Sequence, residues 1–271
     1  MTFQVFQPFQ ALRPFTTPVG GVNALAALIK ALFGNDEAGG LWLPGPDTCF
    51  TDTAGTTAAG VGDTVARIND SSGNGNHATQ ATVAARPALG RTVEGGWYLA
   101  FDGVDDGMLI DAALGTLLNS NSLKALSGTA YANNSTAAGY IFHSQGSQSS
   151  RSVIAFALLT NVQSHDEWVF RSSGENGIAS SLNPHVTTSN IDKASDPRTG
   201  IVRFDGSEVP ATVGTGNPAT EQLTLGFRAP SSPAVFWSGK FFGAAISLQH
   251  ADAAKTLQLE QFLAARAGIT L

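Results

Sequence analysis

The side chains in this sequence with the chemistry to act are few. Asp102, Asp105 and Asp106 fall within one short stretch after Phe101, and Asp166 and Glu167 are adjacent. Glycoside hydrolysis needs two carboxyl groups, about 5–5.5 Å apart in a retaining enzyme. On a strand that requires acids at i and i+2 or i+4, whereas neighbours such as Asp166 and Glu167 point to opposite faces. The trio Asp102, Asp105 and Asp106 suits a hard cation better, because calcium takes carboxylate and carbonyl oxygens. Asp70 with the carbonyls of residues 73–76 offers a second such set, and neither has EF-hand spacing. Turn and cap roles account for the same residues without any metal.

Sugars are held by aromatic faces and by amide, carboxylate and backbone groups that satisfy hydroxyls. Trp97, Tyr140, Trp168 and Trp237, with Asn74 and Asn76, are the glycan-binding candidates. The competing assignment puts the same aromatics in a sandwich core. His77, His143, His165, His185 and His250 form no H-x-x-x-H pair and have no cysteine partner. They read as polar surface or loop residues. The single cysteine, Cys49, excludes an intrachain disulfide and a cysteine zinc site, and reads as a small half-buried hydrophobe. There is no G-x-S-x-G elbow and no glycine-rich loop ahead of a Lys-Ser/Thr pair.

The elements that must position these groups follow from composition. The chain has 271 residues, of which 30 are Gly, 12 are Pro and only 13% are charged. That mix favours many short strands joined by turns over long charged helices. Net charge is −6 and no Lys/Arg cluster occurs, so no nucleic-acid partner is expected. No secretory signal is evident, and the longest helical apolar stretch, residues 22–33, is too short to cross a bilayer, so no membrane insertion is expected.

Residues 1–38 read as an attachment segment. Phe3, Phe6, Phe9 and Phe15 alternate with Gln and Pro, and the prolines forbid a continuous helix. In the helix predicted at 22–33, Leu25, Leu28, Ile29 and Leu32 form one stripe. Ala covers most of the opposite face, which suits burial on two sides in an oligomer; one helix covering the open end of a sheet is the alternative. These eight apolar residues are the expected contacts to a partner, with packing of the four Phe on the body of the same protein as the alternative. Residues 39–271 read as ten to fourteen short strands, with an Asp-Gly hairpin at 205–206 and a closing helix over 252–267.

Two resemblances are carried by particular residues. The order of Ile201 to Gly206, Leu225-Gly226-Phe227, Phe236 to Ser247 and the final helix resembles the concanavalin-A-like lectin/glucanase superfamily, in its laminin-G-like jelly-roll branch. It covers about residues 40–267. The resemblance implies an all-β, two-sheet antiparallel jelly-roll sandwich with a short N-terminal and a C-terminal helix. The glucanase pattern Glu-x-Asp-x-x-Glu is missing, so no enzymatic activity is expected. The series Asp70-Ser-Ser-Gly-Asn-Gly-Asn-His-Ala-Thr-Gln80, Arg86-Pro87 and Phe101-Asp-Gly-Val-Asp-Asp106 is similar to a recurring module of phage virion proteins. That similarity implies a tail, baseplate, fibre or capsid-surface protein located in the virion, bound to other virion proteins through its first segment. It implies a homo-oligomer (a trimer at a tail position) facing a host-surface glycan, with calcium the only cofactor to consider. Capsid cement without a ligand, and a polysaccharide-degrading glycoside hydrolase, are the alternatives.

Overall fold

The computed structural model describes residues 22–110, 114, 117, 124–135, 139–143, 154–158, 168–171, 182–192, 194, 199–209, 222–227, 235–249 and 251–271; for 22, 154–158, 168–171, 199 and 209 it describes the backbone alone. Phe3, Phe6, Phe9, Phe15, His165, Asp166, Glu167 and His250 lie outside these residues, as does the side chain of Trp168. Helix α1 (Val22–Phe33) comes first. Strands β1 (Gly39–Trp42), β2 (Cys49–Phe50), β3 (Arg67–Ile68) and β4 (Ala78–Thr79) follow, then a 3-10 turn at Val83–Ala85. Next are β5 (Ala88–Arg91), β6 (Trp97–Asp102), β7 (Met108–Ile110), β8 (Lys124–Asn133), β9 (Gly139–Tyr140) and β10 (Phe142–His143). The rest are β11 (Ile154–Leu158), β12 (Trp168–Arg171), β13 (Pro184–Asp192), β14 (Thr199–Phe204), β15 (Ser207–Val209), β16 (Thr224–Leu225), β17 (Ser238–Ser247) and helix α2 (Ala253–Arg266).

These strands form the expected two-sheet antiparallel sandwich. The larger sheet runs β15-β14-β13-β8-β17-β6-β5, with β1 also paired to β17. The smaller runs β10-β16-β7-β4-β3-β2, and β12-β11-β9 make a separate ribbon with one parallel pair. Strand β17 is long enough to carry two partners end to end on one edge, β6 along Ser238–Phe241 and β1 along Ala244–Ser247. A bulge between Phe241 and Gly243 shifts the alternation by one. As a result Phe241, Ala244 and Ile246 all face the smaller sheet, while Phe242 and Ala245 face the other way. Gly243 takes φ +150°, and a Cβ there would come within 3.2 Å of the Trp42 carbonyl oxygen. Arg266 clasps the same bulge, donating from Nε to the Phe242 carbonyl (3.0 Å) and from Nη2 to the Pro44 carbonyl (2.7 Å). Burial lowers its guanidinium pKa to about 10.

The sheets enclose an aromatic core. Trp42 meets Phe142 at 5.8 Å between ring centroids, Phe142 meets Phe241 at 5.8 Å, and Phe101 meets Trp237 at 5.5 Å. Cys49 belongs to this core and is fully buried rather than half-buried; burial pushes its thiol up to about 11.

The helices are not at the ends of the sandwich. They form a third layer on the outer face of the larger sheet, where Leu126, Ala130, Val186 and Phe242 pack against Leu28, Leu32, Leu259 and Leu263. Helix α2 starts as expected, with Asp252 accepting the Lys255 N–H at 2.8 Å, and Gly268 follows its end at φ +74°. Helix α1 corrects one expectation. Leu28 and Leu32 are 0% exposed and Leu25 and Ile29 are half-buried against this chain's own sheet, so the stripe is not free for a partner. The opposite face, Ala24, Ala26, Ala27 and Lys30, is exposed, so the helix is buried on one side only. Its last carbonyls are capped from β17 and beyond: Ser247 Oγ and Gln249 Nε2 both donate to the Leu32 carbonyl. The body of the fold therefore includes α1.

Candidate functional site

The acidic turn sits where β6 leaves the large sheet. Asp102 Oδ1 accepts from the N–H groups of Val104 (2.7 Å), Asp105 (3.3 Å) and Asp106 (3.5 Å), and the Asp102 N–H donates to Asp106 Oδ2 at 2.9 Å. Gly103 takes φ +81°, and a Cβ there would lie 2.7 Å from the Ser238 Cβ. One carboxylate oxygen from each of Asp102, Asp105 and Asp106 lies within 4.8 Å of the others. Such a set is of a size to hold a hard cation. All three acids come from one turn, not from facing walls of a cleft, which is the wrong layout for an acid and a nucleophile on a glycosidic bond.

Asp102 and Asp105 are exposed, but Asp106 is buried, and that burial, with the charges of Asp102 and Asp105, raises its carboxyl to about 6. Folding thus favours its protonated form over the ordinary value of 3.8. The stabilisation is complete below about pH 4 and is lost as pH rises through about 6. Asp106→Asn keeps an oxygen for the Asp102 N–H and never ionises. It should raise stability above neutral pH by about 1 kcal/mol, discounted for solvent screening, and flatten the acid-to-neutral slope in thermal unfolding. Millimolar calcium that raises the wild-type midpoint and leaves the variant's unchanged would assign the ion to this turn.

The second acidic set is occupied by its own loop. Asp70 Oδ1 accepts from the Leu41 and Ser72 N–H groups, both at 2.8 Å. Its Oδ2 accepts from the Asn76 N–H at 3.0 Å and the Ser72 hydroxyl at 2.8 Å. The Asp70 N–H donates to His77 Nδ1 at 3.1 Å. The Asn76 amide donates to the Gly39 carbonyl at 2.6 Å, and the Asn74 amide donates to the carbonyls of Glu37 (3.1 Å) and Gly39 (3.3 Å). The side-chain amides of both glycan candidates thereby tie the loop to β1 and to the segment just before it. Gly73 and Gly75 supply φ +95° and +79°, which the sequence-level turn assignment required.

Each of the three aromatic candidates with a described side chain is engaged within the chain. Trp237 is 1% exposed and its indole N–H donates to Asn133 Oδ1 at 2.9 Å, so it offers no face to a sugar. Trp97 is half-buried, with the Arg91 guanidinium 5.2 Å over its ring. Tyr140 is half-buried and meets the His143 ring edge-on at 4.8 Å.

A different polar group lies on the inner face of the large sheet. Register pairs Ser127 with Ser189, Thr129 with Thr187 and Tyr131 with His185, and all six are buried. The two serine hydroxyls are 3.2 Å apart, and Thr129 Oγ1 donates to the Gly243 carbonyl at 3.2 Å. His185 Nδ1 donates to Asp205 Oδ2 at 2.7 Å, while Asp205 Oδ1 accepts the Val186 N–H at 2.8 Å. The rings of Phe204 and Tyr131 lie 4.8 and 6.0 Å from that of His185. Burial, with the Asp205 charge adding, pushes the Tyr131 hydroxyl above its usual range. His143 and His185 are 4% and 9% exposed, which corrects their assignment to surface or loop. The sequence held one signal for this group: polar residues at His185, Thr187 and Ser189, two apart, and an Asp-Gly turn downstream.

The architecture is that of a two-sheet β-sandwich with a helical back layer. No family model matches the sequence, and no curated protein matches it. Among solved structures it is similar to the Trypanosoma rangeli sialidase in complex with sialic acid, at 13% identity and TM-score 0.49, over 92% of this chain and 39% of that one. It is also similar to domain 4 of AbnA, a GH43 extracellular arabinanase from Geobacillus stearothermophilus in complex with arabinotriose, at 12% identity and TM-score 0.47, over 71% of this chain and 92% of that one. The binding domain of botulinum neurotoxin DC in complex with rat synaptotagmin II matches 72% of this chain and 49% of its own, at 10% identity and TM-score 0.49. None of the three reaches a TM-score of 0.5, and they assign neither substrate nor role to this chain.

Proposed function

We propose that this chain is a bacteriophage virion structural protein, a tail, baseplate, fibre or capsid-surface component that displays its sandwich to host-surface glycans and performs no catalysis. The observation that carries the reading is where the phage-like series spends its polar groups. Asp70, Asn74, Asn76 and Asp102 bond to the chain's own backbone, Gln80 Nε2 donates to the Gly107 carbonyl at 2.6 Å, and Arg86 donates to the carbonyls of Thr51, Gln80 and Ala81. A display scaffold needs such wiring, and a catalytic centre would leave part of it free for substrate.

Mooring falls to residues 1–21, which join the body at α1 on the helical face of the large sheet. They carry Phe3, Phe6, Phe9 and Phe15, and other virion proteins are their partners. The assembly that suits a tail position is a homotrimer. Two truncations test the mooring. A chain starting at Val22 should keep its melting midpoint and fail to enter particles. A chain starting at Asp36 loses Leu28 and Leu32, each worth roughly 1.5–3 kcal/mol of burial, and should not fold cooperatively. Entry of the Val22 chain at wild-type copy number would overturn the mooring. Retention of the protein on host polysaccharide without release of new reducing ends supports display; turnover supports a hydrolase, and no retention supports ligand-free cement.

A further inference from the structure

The loop that ties β1 to the phage-like series contains a covalently reactive step. Asn74-Gly75 is the one Asn-Gly pair among the described residues; Asn176-Gly177 lies outside them. An Asn side-chain amide and the next backbone nitrogen can close a five-membered ring, and a following glycine hinders this least because it has no side chain to crowd the approach. The structure leaves the reacting atoms free. Asn74 and Gly75 are both exposed. The Gly75 N–H donates to no group among the described residues, although the N–H groups on either side donate to Ser72 Oγ (3.2 Å, from Asn74) and to Asp70 Oδ2 (3.0 Å, from Asn76). A Cβ at Gly75 would meet nothing within 4 Å, so this stretch of backbone has room to turn. The Asn74 amide nitrogen, the leaving group, faces the Glu37 and Gly39 carbonyls at 3.1 and 3.3 Å, and its Oδ1 accepts from no described residue. That oxygen is open to the water that must solvate it as Cγ becomes tetrahedral.

We propose that Asn74 is a site of spontaneous deamidation, and that the reaction loosens the joint between the 70–76 loop and β1. The Gly75 nitrogen gives its proton to hydroxide and bonds to Asn74 Cγ; the Cγ–Nδ2 bond breaks and ammonia departs. Water then opens the succinimide. Breaking the bond from Cγ to the ring nitrogen gives an aspartate at position 74, and breaking the backbone C–N bond gives an isoaspartate with the chain running through Cβ. One water is consumed, one ammonia is released, and nothing is oxidised or reduced, so the step is independent of the display reading. Either product puts a carboxylate, which can only accept, against the Glu37 and Gly39 carbonyls, so two bonds become repulsive contacts. Two related turns are internal controls. At Asp205-Gly206 the Gly206 N–H donates to Glu260 Oε1 at 3.0 Å, so the attacking nitrogen is engaged. At Asp102-Gly103 the acceptor carbon belongs to a carboxylate with no amide to expel, and its Oδ1 is held by the N–H groups of Val104, Asp105 and Asp106. Both turns stay intact in the folded chain.

The test ages the full chain in mildly alkaline buffer, once folded and once in concentrated urea. Peptides spanning positions 74, 102 and 205 are scored by mass for exchange of the amide for a carboxyl, and for isoaspartate by enzymatic methylation. The expected result is conversion at Asn74 in the folded chain within about threefold of its rate in urea, because an exposed loop opens at little cost. Isoaspartate at Asp205 should appear in urea alone. Asn74→Ser should abolish the signal at that position. Asn74→Asp should melt below fresh wild type, as aged wild type does. Asn74 that stays intact in the folded chain while it converts in urea would overturn the proposal and make its bonds to Glu37 and Gly39 a protecting clamp. Conversion that leaves the melting midpoint unmoved would overturn the loosening.

Discussion

Replacing Glu260 with Ala should lower stability by about 3–5 kcal/mol, a fall in melting midpoint of roughly 10 °C. Glu260 is fully buried on α2 and accepts from Arg203 Nε at 2.9 Å and from the Gly206 N–H at 3.0 Å. Arg203 also reaches the Gly206 carbonyl and lies 3.8 Å from Glu208. These contacts fasten the β14–β15 turn to the helical layer. Removing the carboxylate leaves the Arg203 Nε–H of a largely covered guanidinium and the Gly206 N–H without their acceptor, which is why one truncation costs more than the pair is worth. Glu260→Gln should lose less, since its amide oxygen still serves one donor. Replacing Arg203 and Glu260 together by Leu should recover part of the loss. A double variant no more stable than Glu260→Ala in urea unfolding would contradict the assignment of the penalty to the stranded charge.

The second large effect is expected at Asp70. Its two oxygens serve the N–H groups of Leu41, Ser72 and Asn76 and the hydroxyl of Ser72. Asp70→Ala strands these donors, the Leu41 N–H among buried neighbours, at about 1–3 kcal/mol per buried group, so a loss of about 3–5 kcal/mol is expected. The damage should be local in origin. Asn76 accepts the Trp42 indole N–H on its carbonyl at 2.7 Å, so the loop also holds one of the two tryptophan rings of the core. Hydrogen exchange should accelerate first at the Leu41 and Asn76 amides. Unchanged protection at both would show that the loop keeps its shape by other means.

Some of this wiring could be read before any coordinates. Asp70 was expected to accept from its own loop, and Asp102-Gly103 and Asp205-Gly206 were expected to turn the chain; Asp205 at φ +45° and Gly206 at +84° do so between β14 and β15. The C-cap at Gly268 was legible because capping is local chemistry, while Asp252, read as a first-turn residue, proves to be the N-cap. The central strands were not. β8 (KALSGTAYAN) and β13 (PHVTTSNID), ten and nine residues long, are with β17 the longest described strands, yet they lack apolar alternation. Both faces of each are covered, one by helices and one by the interior, so small and polar residues serve where register supplies the partner. Ser127 finds Ser189 and Tyr131 finds His185 only once β8 and β13 are paired. The packing of α1 was ambiguous for a similar reason: a stripe of Leu and Ile shows that a helix buries one side, not whose surface it covers.

The central claim is that this sandwich is a displayed part of a phage particle. Antibody-labelled imaging of intact particles, with the label directed at the exposed 92–95 turn between β5 and β6, tests it most directly. Regular labelling of the tail or the capsid surface is the predicted result. Particles that carry no label while the protein accumulates free in the host would contradict it.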